Sequence, residues 1–250
     1  MTLAGHTMGV PELNLFGAIK TFSEIGLDGI EVRCAKDGQL DTETVDDAYL
    51  DLARGWLEQY SLSVVCLTSY YRDFVTGRRD SEIRALRRVI DIAATLRCSR
   101  IRLYGGTDPP PDEVDRDRAW ERTVSGIQEV AAYAEKKGVL CCIETHVGSL
   151  TYTAHDAVRM VQDVGRPNVG ILLDYAWVYR AGEESIAETL QLCTPYLMHC
   201  HCKDWKKEDS PHGQNWRACV MGEGSVPWTE FFVALRQSGY DGTITDEYER

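Results

Sequence analysis

The sequence predicts one α/β domain over residues 1–250, a (β/α)8 barrel of the TIM type. Eight short apolar runs alternate with longer segments of helical periodicity, an alternation typical of parallel βαβ units. The length of 250 residues is common for such a barrel, and no Gly/Ser-rich linker divides the chain. No Gly-x-Gly-x-x-Gly motif follows the first predicted strand, so nothing favours the open dinucleotide-binding sheet.

The eight predicted strands are residues 3–6, 29–33, 63–67, 100–104, 139–144, 169–174, 196–201 and 243–247. Predicted helices lie between them, among them one over about residues 12–26, one that ends near Tyr60 and one near residues 227–238. The chain ends three residues after Glu247, so the helix that should follow the eighth strand is missing. Either a partner subunit or another part of the chain covers the apolar flank of this strand, or the flank stays partly exposed; we expect a homo-oligomer.

Composition and charge exclude several classes of protein. The 27 Lys and Arg against 39 Asp and Glu give a net charge of −12, which argues against a nucleic-acid partner. No apolar run approaches the roughly 20 residues that span a bilayer. Residues 1–6 lack the basic start and apolar stretch of a secretory signal, so we expect none. The nine cysteines form no Cys-x-x-Cys pair, which favours reduced thiols and a cytoplasmic location without membrane attachment.

Ionisable residues recur near the carboxyl ends of the last four strands, at positions whose side chains point into a barrel. These residues are Glu144, Asp174, His201 and Glu247. A single acid at a strand end is usually a helix cap or a solvated loop residue, and His199 and His201 could be ordinary buried histidines. Four such residues on successive strands favour instead a joint site for one divalent cation, at the barrel end where enzymes of this fold keep their chemistry.

Four more polar residues share the inward direction: Arg33, Arg102, His146 and Lys203. They could orient hydroxyl, carboxylate or phosphate groups of a substrate, and a buried ion pair inside the barrel is an equally good interpretation. The run His-Cys-His-Cys at residues 199–202 is not a zinc site, because its histidines and cysteines point to opposite faces of the strand. We interpret Cys200 and Cys202 as packing between barrel and helices.

Several motifs in order along the chain resemble one known family. They are His-Thr-Met-Gly-Val-Pro (6–11), Gly-Leu-Asp-Gly-Ile-Glu (26–31), Ile-Glu-Thr-His (143–146), Leu-Asp (173–174), His-Cys-Lys-Asp (201–204), Gly-Glu-Gly (222–224), Gly-Tyr-Asp-Gly (239–242) and Asp-Glu-Tyr-Glu (246–249). As an ordered set they resemble the sugar phosphate isomerase/epimerase family of the xylose isomerase-like TIM barrel superfamily.

The resemblance implies one divalent ion bound by Glu144, Asp174, His201 and Glu247, and a sugar as substrate. In the ketose 3-epimerases of this family, the glutamates that match Glu144 and Glu247 also exchange a proton with the substrate. Those epimerases have His where this chain has Trp177, and Arg where it has Lys207. Trp177 therefore becomes a candidate substrate contact, and the lyase chemistry of inosose dehydratase, which shares the framework, is an alternative.

The predicted reaction is isomerisation or epimerisation of a sugar, sugar phosphate or small hydroxy-keto acid by proton transfer through an enediolate. A divalent ion stabilises the developing enediolate while a carboxylate removes the proton. Three carboxylates and one imidazole favour Mn²⁺ or Mg²⁺ over Zn²⁺ or Co²⁺. The rivals are a nuclease similar to endonuclease IV, which needs more histidines and a less acidic chain, and a non-catalytic sugar-binding barrel, which does not need both glutamates.

Overall fold

The computed structural model describes residues 1–111, 114–182, 184–210 and 213–248. Eight parallel strands close into a barrel, as the alternation of strands and helices predicts. In order around the barrel they are β1 (Thr2–His6), β2 (Gly29–Arg33), β3 (Ser63–Thr68), β4 (Arg100–Tyr104), β5 (Leu140–Glu144), β6 (Val169–Asp174), β7 (Leu197–Cys202) and β10 (Thr243–Asp246). The strand β10 returns to pair with β1 and completes the closure.

Eight α-helices lie within the described residues: α1 (Leu15–Glu24), α2 (Asp47–Gln59), α3 (Arg79–Thr95), α4 (Arg116–Lys136), α5 (Ala154–Val164), α6 (Tyr175–Ala181), α7 (Ile186–Cys193) and α8 (Trp228–Gln237). Side-chain caps determine where several helices begin. The Asn14 side chain, for example, accepts a hydrogen bond from the Gly17 amide, so α1 begins later than predicted. None of these helices is both long and apolar enough to cross a membrane.

The interior of the barrel is polar at its carboxyl end, although it is closed to solvent. Inward side chains there that are at most 1% exposed include Glu31, Arg102, Glu144, Asp174, His199, His201 and Thr245. A buried polar group is costly unless it is paired, so these residues must satisfy one another or a ligand. The predicted packing role of Cys200 and Cys202 is confirmed, since both belong to the apolar layer between strands and helices.

A two-stranded antiparallel hairpin follows β7, and the sequence analysis did not predict it. It consists of β8 (Asp204–Ser210) and β9 (Gly213–Cys219) and stands at the carboxyl end of the barrel. The Asp204 carboxylate anchors the returning chain, because it accepts hydrogen bonds from the amides of Gly222 and Gly224, each at 2.9 Å. A Cβ atom on Gly224 would lie 2.0 Å from Asp204 Oδ1, so this close approach requires glycine.

Candidate metal centre and active site

The four predicted ligands converge at the carboxyl end of the barrel, and we call them the ligand cluster: Glu144, Asp174, His201 and Glu247. One potential ligand atom from each lies within 4.8 Å of those of the other three, and all four side chains are buried. Glu144 and Asp174 end their strands, His201 precedes the end of β7 by one residue, and Glu247 directly follows β10. The parallel register of the barrel therefore creates the cluster.

The donor atoms of the ligand cluster fit a divalent cation. His201 Nδ1 lies 3.2 Å from both Glu144 Oε1 and Glu247 Oε2. Among the described residues, neither His201 Nδ1 nor Glu144 Oε1 has a hydrogen-bond partner, although both atoms are buried. Three carboxylates and one imidazole around a common point could hold a divalent metal, which would give these atoms a partner.

Lys203 contributes a positive charge on one side of the ligand cluster. Its Nζ atom lies 2.6 Å from Glu247 Oε2 and 2.8 Å from Asp174 Oδ2. The other oxygen of Asp174 accepts a long hydrogen bond from the Trp177 amide at 3.4 Å and caps α6. Asp174 therefore caps a helix and also lies in the ligand cluster. Burial raises the pKa of Asp174 to about 7 despite the neighbouring Lys203.

Arg102 fixes Glu144 from the opposite side. Its guanidinium donates to Glu144 Oε2 at 2.6 Å and to the Ser69 carbonyl at 3.1 Å, and the side chain is 1% exposed. Burial alone would favour the protonated acid, but Arg102 outweighs it and holds the pKa of Glu144 at about 2. The ion-pair interpretation therefore applies to Arg102, and the Glu144 carboxylate stays ionised.

Glu31 lies behind His201, on the side away from the ligand cluster. His201 Nε2 is 3.0 Å from both oxygens of Glu31, while His199 Nε2 is 2.8 Å from Glu31 Oε2 and the Thr68 hydroxyl also donates to this carboxylate. Burial opposes the charge on Glu31, yet His201 and His199 lower its pKa well below the usual value. A proton held on Nε2 of His201 leaves the Nδ1 lone pair for a metal.

A continuous aromatic surface borders the mouth of the barrel. The His146 ring contacts Tyr104 and Trp177 at centroid distances of 5.0 and 4.9 Å, and Trp177 contacts Trp205 of the hairpin at 5.3 Å. Burial lowers the pKa of His146, so its imidazole is neutral near pH 7. Lys203 Nζ lies 5.0 Å from the Trp177 ring centroid, so this surface reaches the ligand cluster.

The last predicted substrate contact, Arg33, lies at the end of β2, apart from this aromatic surface. Its guanidinium carbon is 5.4 Å from the centroid of Tyr70, whose ring also stacks on Arg102 at 4.6 Å. The structure thus brings all of the predicted site residues to one end of the barrel. The sequence analysis missed Tyr70 and Trp205, which follow strands in loop or hairpin segments where no alternation of faces was read.

The fold and the site geometry agree with a comparison of the sequence against family models. Residues 19–250 match the model of the xylose isomerase-like TIM barrel family. The chain belongs to this family. The family resemblance inferred from the ordered motifs is therefore confirmed, and so is the predicted barrel.

Within the xylose isomerase-like family, the chain is similar to enzymes of two reaction types. It is 31% identical to the D-psicose 3-epimerase of Ruminiclostridium cellulolyticum over 137 residues, which are 54% of this chain and 43% of the epimerase. It is 21% identical to the 3-dehydroshikimate dehydratase of Bacillus anthracis over 232 residues, 88% of this chain and 81% of the dehydratase. The chain thus spans less than half of the epimerase.

A solved structure of similar fold contains a metal. The xylose isomerase-like TIM barrel protein from Mycobacterium smegmatis, determined in complex with magnesium, superimposes with a TM-score of 0.80 at 16% identity. The superposition covers 100% of this chain and 90% of that protein. At this level of identity the similarity establishes the fold.

Proposed function

We propose that this protein is a divalent-metal-dependent isomerase or epimerase that moves a proton next to the carbonyl group of a sugar-like substrate. The observation that carries the proposal is the pair of buried carboxylates, Glu144 and Glu247, which meet at His201 in one cluster with Asp174. Two carboxylates at one carbonyl suit a reaction in which one removes a proton and the other returns it.

The ligand cluster would hold one divalent ion, with Mn²⁺ or Mg²⁺ favoured by its three carboxylates. Such an ion, when bound, stabilises negative charge on carbonyl and hydroxyl oxygens of the substrate. The similar fold of a magnesium-containing protein supports a cation of this type. Glu31 would orient His201 toward the ion, because its carboxylate lies against the far nitrogen of the ring.

The protein's own charges keep the two carboxylates ionised, the form in which they can accept a proton. Arg102 keeps Glu144 ionised, and the pKa of Glu247 is well below its usual value because Lys203 and His201 outweigh the effect of burial. Both side chains are thus bases before substrate binds. A carboxylate positioned as general base is worth ~10²–10⁴-fold in rate.

The remaining site residues would orient the substrate. Lys203 presents an ammonium beside Glu247, and His146 presents a neutral imidazole within the aromatic surface. The faces of Trp177 and Tyr104 can cover the C–H bonds of a sugar, while their surroundings exclude water from the reacting carbon.

The alternative function is a dehydratase on the same site, in which proton removal is followed by loss of a β-hydroxyl group. One observation favours it: Trp177 and Lys207 occupy positions where the ketose 3-epimerases have His and Arg. Coverage does not separate the two reaction types, because the chain matches the 3-dehydroshikimate dehydratase over 88% of its length and the D-psicose 3-epimerase of Enterocloster bolteae over 90%. Lys203 would then protonate the departing hydroxyl.

Metal analysis and product analysis test the proposal together. We expect elemental analysis to find one divalent ion per chain in the purified protein and strong loss of metal in Asp174→Ala. The matched control Asp117→Ala changes an exposed Asp on α4 and should retain the ion. Proton NMR of D-fructose, D-psicose, inososes, hydroxypyruvate and 3-dehydroshikimate then separates isomerisation from loss of water. Full metal content in Asp174→Ala would remove this residue from the site.

A further inference from the structure

Five side chains at the β2–β4 side of the mouth alternate between guanidinium and phenol ring, and we call them the arginine–tyrosine stack. They are Arg33, Tyr70, Arg102, Tyr104 and Arg72. From Arg33 to Arg72 the distances between each guanidinium carbon and the next ring centroid are 5.4, 4.6, 4.2 and 5.3 Å. Contacts of this length are cation–π interactions.

The middle arginine of the stack is fully paired, whereas the two outer ones are not. Arg102 donates to Glu144 and to the Ser69 carbonyl. Among the residues that the structure describes, no carboxylate lies within 4.0 Å of the guanidinium nitrogens of Arg33 or Arg72. The buried Nε atom of Arg33 has no acceptor in this part of the chain, and the same is true of Arg54, Arg87 and Arg100. Those three arginines have acceptors for their other nitrogens, whereas no guanidinium nitrogen of Arg33 or Arg72 has one among the described residues.

This lack of acceptors is not a general property of half-buried arginines here. Arg79 and Arg87 are similarly half-buried, and both bind the carboxylate of Glu129, at 3.1 and 2.8 Å. A buried donor without an acceptor is costly, so it is retained where a ligand completes it. Stacking on a ring occupies the flat face of a guanidinium and leaves its edge N–H groups available for a planar anion.

We propose that Arg33 and Arg72 bind an anionic group of the substrate, a carboxylate or a phosphate, while its carbonyl end reaches the ligand cluster. This inference rests on the proposed function, because it names the substrate class of the same site. Arg102 connects the ligand cluster with the outer arginines. Its guanidinium donates to Glu144, and it stacks on Tyr70 and Tyr104, the rings that Arg33 and Arg72 also contact. On a chain of net charge −12, two unpaired arginines also give anions a local point of attraction.

Calorimetric titration of the purified protein with inorganic phosphate and with acetate tests the inference without turnover. We expect saturable binding of at least one anion. The anion that binds more tightly indicates whether the substrate carries a phosphate or a carboxylate group. Arg33→Gln and Arg72→Gln should each raise its Kd about tenfold or more, as expected for loss of a charge-assisted hydrogen-bonded contact. The Kd of Arg33→Lys should lie between those of the wild type and Arg33→Gln, because lysine keeps the positive charge but lacks the planar guanidinium group.

Two controls separate this result from metal binding and from misfolding. Arg84→Gln removes an exposed arginine from α3 and should leave the Kd unchanged. Elemental analysis and Tm must agree between the wild type and both glutamine variants, so that a change in Kd does not report a lost metal or a damaged barrel.

Two outcomes would overturn the inference. One is no saturable binding of either anion to the wild type, and the other is an unchanged Kd in both glutamine variants. The proposed reaction survives either result, since metal content and turnover of a neutral ketose are measured separately. Conversely, tight anion binding that depends on Arg33 and Arg72 in a protein without metal or turnover would support this inference and contradict the proposed function.

Discussion

The half of the barrel mouth around the ligand cluster brings three carboxylates together, whereas the half around Tyr70 has two guanidinium groups, Arg33 and Arg72, with no carboxylate partner among the described residues. In the first half, Arg102 and Lys203 face three carboxylates, and His201 lies between two of them. In the second half, Arg33 and Arg72 have ring contacts and no carboxylate among the described residues.

Because of this difference, ion pairs between the protein's own side chains do not satisfy all of the charged groups at the barrel mouth. Arg102 and Lys203 pair with carboxylates of the first half, whereas no carboxylate among the described residues pairs with Arg33 or Arg72 in the second half. The acidic half suits a cation and the basic half suits an anion. A small molecule with a carbonyl at one end and an acid group at the other would satisfy both.

The largest expected effect comes from the acidic half. Glu144→Gln or Glu247→Gln keeps the size of the side chain but removes the base, so kcat/KM should fall by ~10²–10⁴-fold. Steady-state kinetics on the substrate found by NMR measures this, and Tm verifies that the barrel remains folded. Glu121→Gln, an exposed position on α4, is the matched control and should keep wild-type activity. A loss smaller than tenfold in both variants would show that neither glutamate transfers the proton.

A smaller effect is expected from Glu31, which contacts His201 and lies outside the ligand cluster. Glu31→Gln weakens the hold on His201 Nε2, and loss of such a contact typically lowers metal affinity ~10–100-fold. Competition with a fluorescent chelator measures the affinity.

Thr68→Val is the control for this prediction, because it removes a donor to Glu31 and leaves the contact between Glu31 and His201. Its effect on metal affinity should be smaller than that of Glu31→Gln. Unchanged affinity in Glu31→Gln would mean that His201 is positioned by the barrel alone.

The smallest expected effect concerns the hairpin that frames the acidic half. A methyl group at Gly224 would press on Asp204 and disturb its hydrogen bonds to the amides of the loop, so Gly224→Ala should destabilise the protein by ~1–3 kcal/mol. Urea denaturation measures this change. Gly55→Ala, inside α2 with open space around the new methyl group, should instead stabilise by about 0.5–1 kcal/mol. Equal stability of the two variants would refute the anchoring role of Asp204.

The sequence predicts the acidic half well, because a closed parallel barrel forces the carboxyl ends of its strands together. The alternation of faces was enough to select Glu144 and Asp174, and errors of one residue at the ends of β5 and β7 did not matter. The contact between Glu31 and His201 was missed, since it joins residues 170 positions apart through the register of the barrel.

The hairpin and the arginine–tyrosine stack could not be predicted in the same way. The charged run of residues 204–210 is typical of a loop, and it becomes a strand by pairing with residues 213–219 and by packing Trp205 on Trp177 of α6. Tyr70 and Arg72 lie in the segment after β3, where no periodicity gives the direction of a side chain. Their neighbours depend on tertiary structure.

Solvent-exchange NMR tests the central claim most directly. If Glu144 and Glu247 transfer a proton at a carbon beside the carbonyl, substrate turned over in D₂O by the metal-loaded protein should yield product with deuterium at that carbon. Glu144→Gln and Glu247→Gln should slow or abolish this incorporation. Product that forms at the wild-type rate in D₂O without any deuterium, with the substrate hydrogen fully retained, would contradict proton transfer by these carboxylates.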